Sequence, residues 1–174
     1  MAKVLKVGIA LAIVLVLGVA SLAAAAGSSW VAKTRLHGYQ EVPAISTTAT
    51  GRFRAEMRPG KIKYHLTYSA VEGVSITQAH IHFGQRGVNG GITVFLCSNL
   101  GNGPAGTPAC PAFPGEVSGT LTADDVTAGA AAQGIGAGEL RELKQAIRDG
   151  VAYVNIHSET YPSGEARGQL RKVD

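Results

Sequence analysis

The chain has 174 residues and a formal charge of +4, enough length for one domain with a sizeable core. Two of its lysines, Lys3 and Lys6, precede an uncharged apolar run, so the 148 residues after Ala26 carry only +2. That balance excludes reading the basic precursor as a nucleic-acid footprint.

The N-terminus reads as a signal peptide over residues 1–26. A short basic region is followed by apolar residues from Val7, and the small-residue tract Ala23 to Ala26 suits cleavage before Gly27. The alternative is an uncleaved anchor, because the run from Val7 to Ala26 is long enough to cross a bilayer. In either case the single domain, residues 27–174, is expected outside the cytoplasm, in the periplasm or extracellular space. The membrane then enters only through an uncleaved signal segment.

Strand signals dominate the rest. A short strand is expected near Lys33 to Leu36. Thr50 to Met57 alternates, with Phe53, Ala55 and Met57 on one side and Arg52, Arg54 and Glu56 on the other. Pro59-Gly60 supplies the central residues of a type II turn. Lys61 to Ser69 then alternates again, with Ile62, Tyr64, Leu66 and Tyr68 inward, which predicts a β-hairpin. His65 falls on its polar face.

Further strands are predicted at Ile76 to Phe83, Ile92 to Cys97, Glu116 to Thr122, Val151 to Ser158 and Glu165 to Arg171. Leu140, Leu143 and Ile147 recur at helical spacing within Glu139 to Asp149, and Gly150 stands where a glycine ends a helix. This helix is expected to cap an end or edge. Ala128 to Gly138, almost all Ala and Gly, reads as a pliable connection. The pattern predicts an all-β, antiparallel, Greek-key-like β-sandwich of about seven to eight strands with one short helix.

Cys97 and Cys110 are the sole cysteines, and an exported chain with two is expected to pair them. Closing a loop of that length contributes about 3 kcal/mol in the chain-entropy model. Arg52, Arg54, Lys61, Lys63, Arg167 and Arg171 are scattered at strand spacing instead of clustered with aromatics. They read as solvated strand faces, with weak attraction to acidic polymers as the alternative.

The chemistry-bearing feature is His80-Ile81-His82, echoed by Asn155-Ile156-His157. Successive strand side chains point to opposite faces, so His80 and His82 share one face. The same parity groups His157 with Tyr153 and Asn155, and Glu165 with Arg167 and Gln169. If the strands are neighbours, His80, His82, His157 and Glu165 converge. Three imidazoles with a carboxylate or water suit copper or zinc. The other reading is a hydrogen-bonded network that fixes the Gly84 to Gly91 turn against the last hairpin, with no cofactor at all. No nucleophile motif and no phosphate-binding loop accompanies the histidines, so no catalytic residue is assigned.

The ordered motifs resemble a known family. Leu36-His37-Gly38 with Glu41-Val42-Pro43, Ala79-His80-Ile81-His82-Phe83-Gly84, Gly87-Val88-Asn89-Gly90, Ala152 to His157, and Pro162 to Leu170 look like a chordin-type (CHRD) domain over roughly Lys33 to Arg171. The resemblance implies an extracytoplasmic β-rich module, here a lone exported domain of the bacterial type. Together with the signal segment, the single disulfide and the lack of a complete catalytic constellation, it leads to the expectation of a non-enzymatic binding or envelope/matrix structural role, with an extracytoplasmic protein or envelope component as partner; the charge balance argues for no nucleic acid. The alternative function is copper or zinc binding. A fainter similarity is to copper/zinc superoxide dismutase, but no histidine lies between His82 and His157 to bridge two metals, which argues against that activity.

Overall fold

The computed structural model describes residues 29–173, so the signal segment and its cleavage point lie outside the described residues. The strands are β1 (Trp30–His37), β2 (Thr50–Arg58), β3 (Lys61–Ser69), β4 (Ile76–Phe83), β5 (Gly91–Ser98), β6 (Gly115–Leu121), β7 (Ala152–Ser158), β8 (Ala166–Gln169) and β9 (Arg171–Val173). Among the described residues one α-helix, α1 (Leu140–Arg148), precedes β7. All strand pairs are antiparallel and form one sheet in the order β5-β4-β7-β8-β1-β2-β3-β6, with β9 also on β1. The all-β antiparallel class with one short helix is as expected. The sheet curls until its two end strands approach, nearly forming a barrel around a single apolar core.

The β2–β3 hairpin shows how pattern becomes register. Arg58 pairs with Lys61, and Gly60 between them adopts φ +68°, as a type II turn requires. Phe53, Ala55 and Met57 then meet Ile62, Tyr64 and Leu66 inside the curl, each at most 5% exposed. Burying a large apolar side chain contributes about 1.5–3 kcal/mol, so a one-residue slip of this hairpin would forfeit most of its stability.

At the open seam, Tyr64 Oη donates to Leu96 O (2.6 Å) across the core. The free edge of β5 is covered by Thr127, whose N–H donates to Thr93 O (2.8 Å) and whose hydroxyl donates to Ile92 O (2.9 Å). The Ala/Gly stretch is therefore not a slack connection. Residues Ala128–Gln133 form a 3₁₀ helix pressed onto β5, Ala130 is fully buried, and a Cβ on Gly91 would strike the Gly129 carbonyl. Small residues here permit close backbone approach.

The last predicted strand is two. Leu170, fully buried, donates its N–H to Ala152 O (2.9 Å) and breaks the run between β8, which pairs with β7, and β9, which pairs with β1. Helix α1 buries Leu140, Leu143, Ala146 and Ile147, ends at Gly150 (φ +73°), and sets the Arg148 guanidinium 5.1 Å above the Trp30 ring. The Cys97–Cys110 disulfide is formed. Asn99 organises its loop, accepting from Cys110 N–H and donating to Cys110 O and Ile76 O.

Strand β7 departs from simple alternation. All seven of its residues are buried. Val154 and Ile156 enter the apolar core, whereas Tyr153, Asn155 and His157 lie on the outer face beneath three loops.

Candidate functional site

The β4–β7 register sets His80 opposite Asn155, His82 opposite Tyr153, and Gln78 opposite His157. Strand β8 continues the face, with Arg167 opposite Asn155 and Gln169 opposite Tyr153. The three histidines meet as parity predicts. One ring nitrogen of each lies within 4.8 Å of the others. Such a triangle has a common point at most about 2.8 Å (4.8 Å/√3) from every nitrogen. Zinc–imidazole bonds are about 2.0–2.1 Å, so a contraction of under about 1 Å would place an ion there.

Loop backbone fixes the tautomers. His82 Nδ1 donates to Gly90 O (2.9 Å) and His157 Nδ1 donates to Pro162 O (2.9 Å). Each neutral ring then presents a lone pair at Nε2. His82 Nε2 is buried without a partner, and so is His80 Nε2. His157 Nε2 lies 3.1 Å from His80 Nδ1, which donates to it, and 3.1 Å from Asn155 Oδ1. The latter contact joins two acceptors. A proton or cation between them would resolve it. Imidazole N–H groups held by backbone carbonyls, with the opposite nitrogens converging, are the usual outer shell of a histidine metal site.

Glu165 does not join this group, contrary to the sequence-based expectation. Its Oε1 accepts from Thr47 Oγ1 (2.8 Å) and from Glu72 N–H (2.7 Å), so the carboxylate ties two loops at the neighbouring end of the face. An acid that does reach this face, beside Asn155, is Glu41, from the loop after β1, which pattern alone does not assign. Its carboxylate packs beside Gly164 and the Asn155 amide, with Oε1 buried and unpartnered.

Arg167 holds the covering loop. Only 1% exposed, it lies 3.3 Å from the Tyr153 ring centroid and donates to Gln85 O (3.1 Å), Val88 O (2.8 Å) and Asn89 Oδ1 (3.2 Å). Asn89 in turn donates to Val42 O (2.9 Å), and Tyr153 Oη accepts from Gly90 N–H (3.2 Å). The His82 ring stacks on Tyr153 at 4.7 Å.

Burial dominates the electrostatics. It lowers His80 to about 2, helped by the imidazoles of His157 and His82. It lowers His82 to about 4 against the Gly90 hydrogen bond, and lowers His157 against the Pro162 bond. Burial raises Glu41 to about 7, although Arg167 and Asn155 oppose the shift. All three imidazoles are therefore neutral at pH 7, the form that binds metals.

The sign of the resulting pH dependence follows directly. Unfolded imidazoles take up protons near pH 6.5 that the folded rings refuse, so their contribution is complete above 6.5 and is lost as pH falls toward 4. At pH 5 His80 and His82 each cost about 2 kcal/mol, and His157 adds to this. Glu41 works the other way, lending stability at low pH that disappears as pH rises through 7, and offsets about 2 kcal/mol at pH 5. Urea unfolding of the metal-free protein should thus show stability falling between pH 6.5 and 4. A rise over that range would contradict the buried-imidazole assignment.

The cluster is closed to an organic substrate, because His80, His82 and His157 are 0%, 7% and 6% exposed. No curated protein matches the chain. A family model does match: that of the CHRD domain, over residues 32–170, spanning every strand from β1 to β8.

Proposed function

The chain belongs to the CHRD domain family, and on that footing we propose that it is an exported, non-enzymatic binding module that holds one copper or zinc ion on His80, His82 and His157. Family membership supports a binding or structural module. The observation that carries the metal reading is the pair of buried, unpartnered Nε2 atoms on His80 and His82, beside a third imidazole whose Nδ1 is committed to a carbonyl. Leaving such buried acceptors unpaired costs about 1–3 kcal/mol each, and an ion would recover it. The paired cysteines and the N-terminal segment support a location outside the cytoplasm. There the module would serve the envelope or matrix, with the ion tying β4 and β7 to the loops that carry Gly90 and Pro162.

Calorimetric titration of metal-free protein with Zn²⁺ and Cu²⁺ tests this. Expected is one site with Kd of about 1 μM or tighter, near −8 kcal/mol, with the His80–His157 hydrogen bond displaced and no proton released at pH 7 by imidazoles that are already neutral. The His80→Ala/His82→Ala variant should bind at least about 100-fold more weakly. Binding weaker than about 10 μM and unchanged in that variant would remove the ion. The reading that then stands is a purely structural network. It is favoured by the His80–His157 hydrogen bond, and a turn of the Asn155 amide would bring Nδ2 to His157.

A further inference from the structure

Strand register gathers cations that the sequence spreads along the chain. Lys33 stands directly opposite Arg54, and Arg35 opposite Arg52, across the β1–β2 ladder. On the other side of β1, Arg171 stands opposite Lys33. All five side chains are exposed on the outer face, and Arg86 from the loop after β4 joins them around one groove of about 680 Å³.

Like charges directly opposite one another destabilise a ladder. Among the described residues the ion pairs are Arg58–Glu56, His65–Glu116 and Arg141–Glu142, none of which reaches these cations. Among the described residues no ion pair offsets the repulsion. Same-face side chains lie about 6.6 Å apart along a strand and about 4.8 Å apart across strands. The result is a two-dimensional grid of positive charge, suited to several linked anions at once.

We infer that this groove is a binding site for a linear acidic polysaccharide, whose carboxylate or sulfate groups pair with Lys33, Arg35, Arg52, Arg54 and Arg171. The choice among polyanions rests on shape and on what the groove lacks. Single-stranded nucleic acid is held by stacking bases on aromatic rings, and the aromatic ring beneath these arginines, Phe53, is 2% exposed. Anchoring in a membrane takes a protruding surface with apolar side chains that insert. This site is concave, and the exposed large apolar residues Tyr39, Val74, Val88 and Leu100 do not line it. A chain of sugars lies along such a groove and presents charge at regular intervals. The inference is independent of the histidine cluster and survives if no metal binds.

Affinity for dextran sulfate and polygalacturonate, with neutral dextran as reference, tests it. The protein should bind both acidic polymers and not dextran, and binding should weaken at least about tenfold between about 50 and 200 mM salt. Lys33→Gln/Arg54→Gln and Arg35→Gln/Arg52→Gln should each weaken binding about tenfold or more and flatten the salt dependence. Neither should lower the unfolding temperature, since each removes an opposed like-charged pair. Lys61→Gln/Arg141→Gln removes the same charge outside the groove and should stay within about twofold. The inference is overturned if the groove variants bind as the parent does, or if the outside variant loses as much. It also fails if single-stranded DNA or phosphatidylglycerol vesicles bind more tightly than the polysaccharides through the same arginines.

Discussion

Arg167→Met is expected to destabilise the protein by about 3–4 kcal/mol, a fall of roughly 10 °C in unfolding temperature for a domain of this size. The methionine keeps much of the apolar stem against Tyr153 but deletes three charge-assisted hydrogen bonds, to Gln85 O, Val88 O and Asn89 Oδ1. Hydrogen bonds to charged groups contribute about 1.5–3 kcal/mol each and are not additive, because the freed loop can hydrate some of its carbonyls. Arg167→Lys should fall between the two, since an ammonium retains charge but neither the planar stack on Tyr153 nor the forked geometry.

The effect should reach the histidines as well. The loop that Arg167 holds carries Gly90, whose carbonyl fixes the His82 tautomer. Metal affinity should therefore drop with stability, although Arg167 contacts no ligand nitrogen. Thermal unfolding with and without Zn²⁺ reads both. A loss under about 1 kcal/mol would show that the Asn89–Val42 and Tyr153–Gly90 bonds hold the loop by themselves.

Much of the architecture was legible because one face of most strands is apolar and the other wet. Phe53, Ala55 and Met57 against Ile62, Tyr64 and Leu66 define a hairpin with no structural knowledge. Parity also aligned His80 with His82, and Tyr153 and Asn155 with His157, and that grouping survives in the fold. Parity fixes a face but not a position along it. Glu165 shares a parity with Arg167, yet it lies just before β8, where Thr47 and Glu72 N–H capture its carboxylate. What covers a face is equally invisible. Glu41 is brought in by a loop, and its neighbours Gly164 and Asn155 are more than 100 residues away in the chain. Lys33 and Arg54 become opposed through the β1–β2 register, so a spread of cations at strand spacing concealed a patch. The Ala/Gly stretch misled in the opposite way, because small residues signal flexibility and tight packing alike.

Glu41 gives the sharpest test of whether this polar face exists for stability alone. A carboxyl raised to about 7 against an ordinary 4.5 means that its ionised form costs the fold about 3 kcal/mol at pH 8. Glu41→Gln preserves shape and removes that cost, so the variant should be more stable than the parent by about 2–3 kcal/mol at pH 8 and nearly unchanged at pH 5. The sign follows from linkage: the parent gains stability by protonating Glu41 as pH falls through 7, and glutamine has nothing to gain. Urea midpoints at the two pH values measure it, and the variant should lose stability more steeply on acidification because only the histidines remain to titrate. A destabilised variant at pH 8 would mean that the Arg167 and Asn155 contacts outweigh desolvation. If the gain appears, the fold retains at Glu41 an acid that lowers its own stability beside Asn155, whose amide also contacts His157. Residues kept at a cost to stability are characteristic of functional sites, so that outcome would favour a face built to receive a cation over one built only to pin its loops.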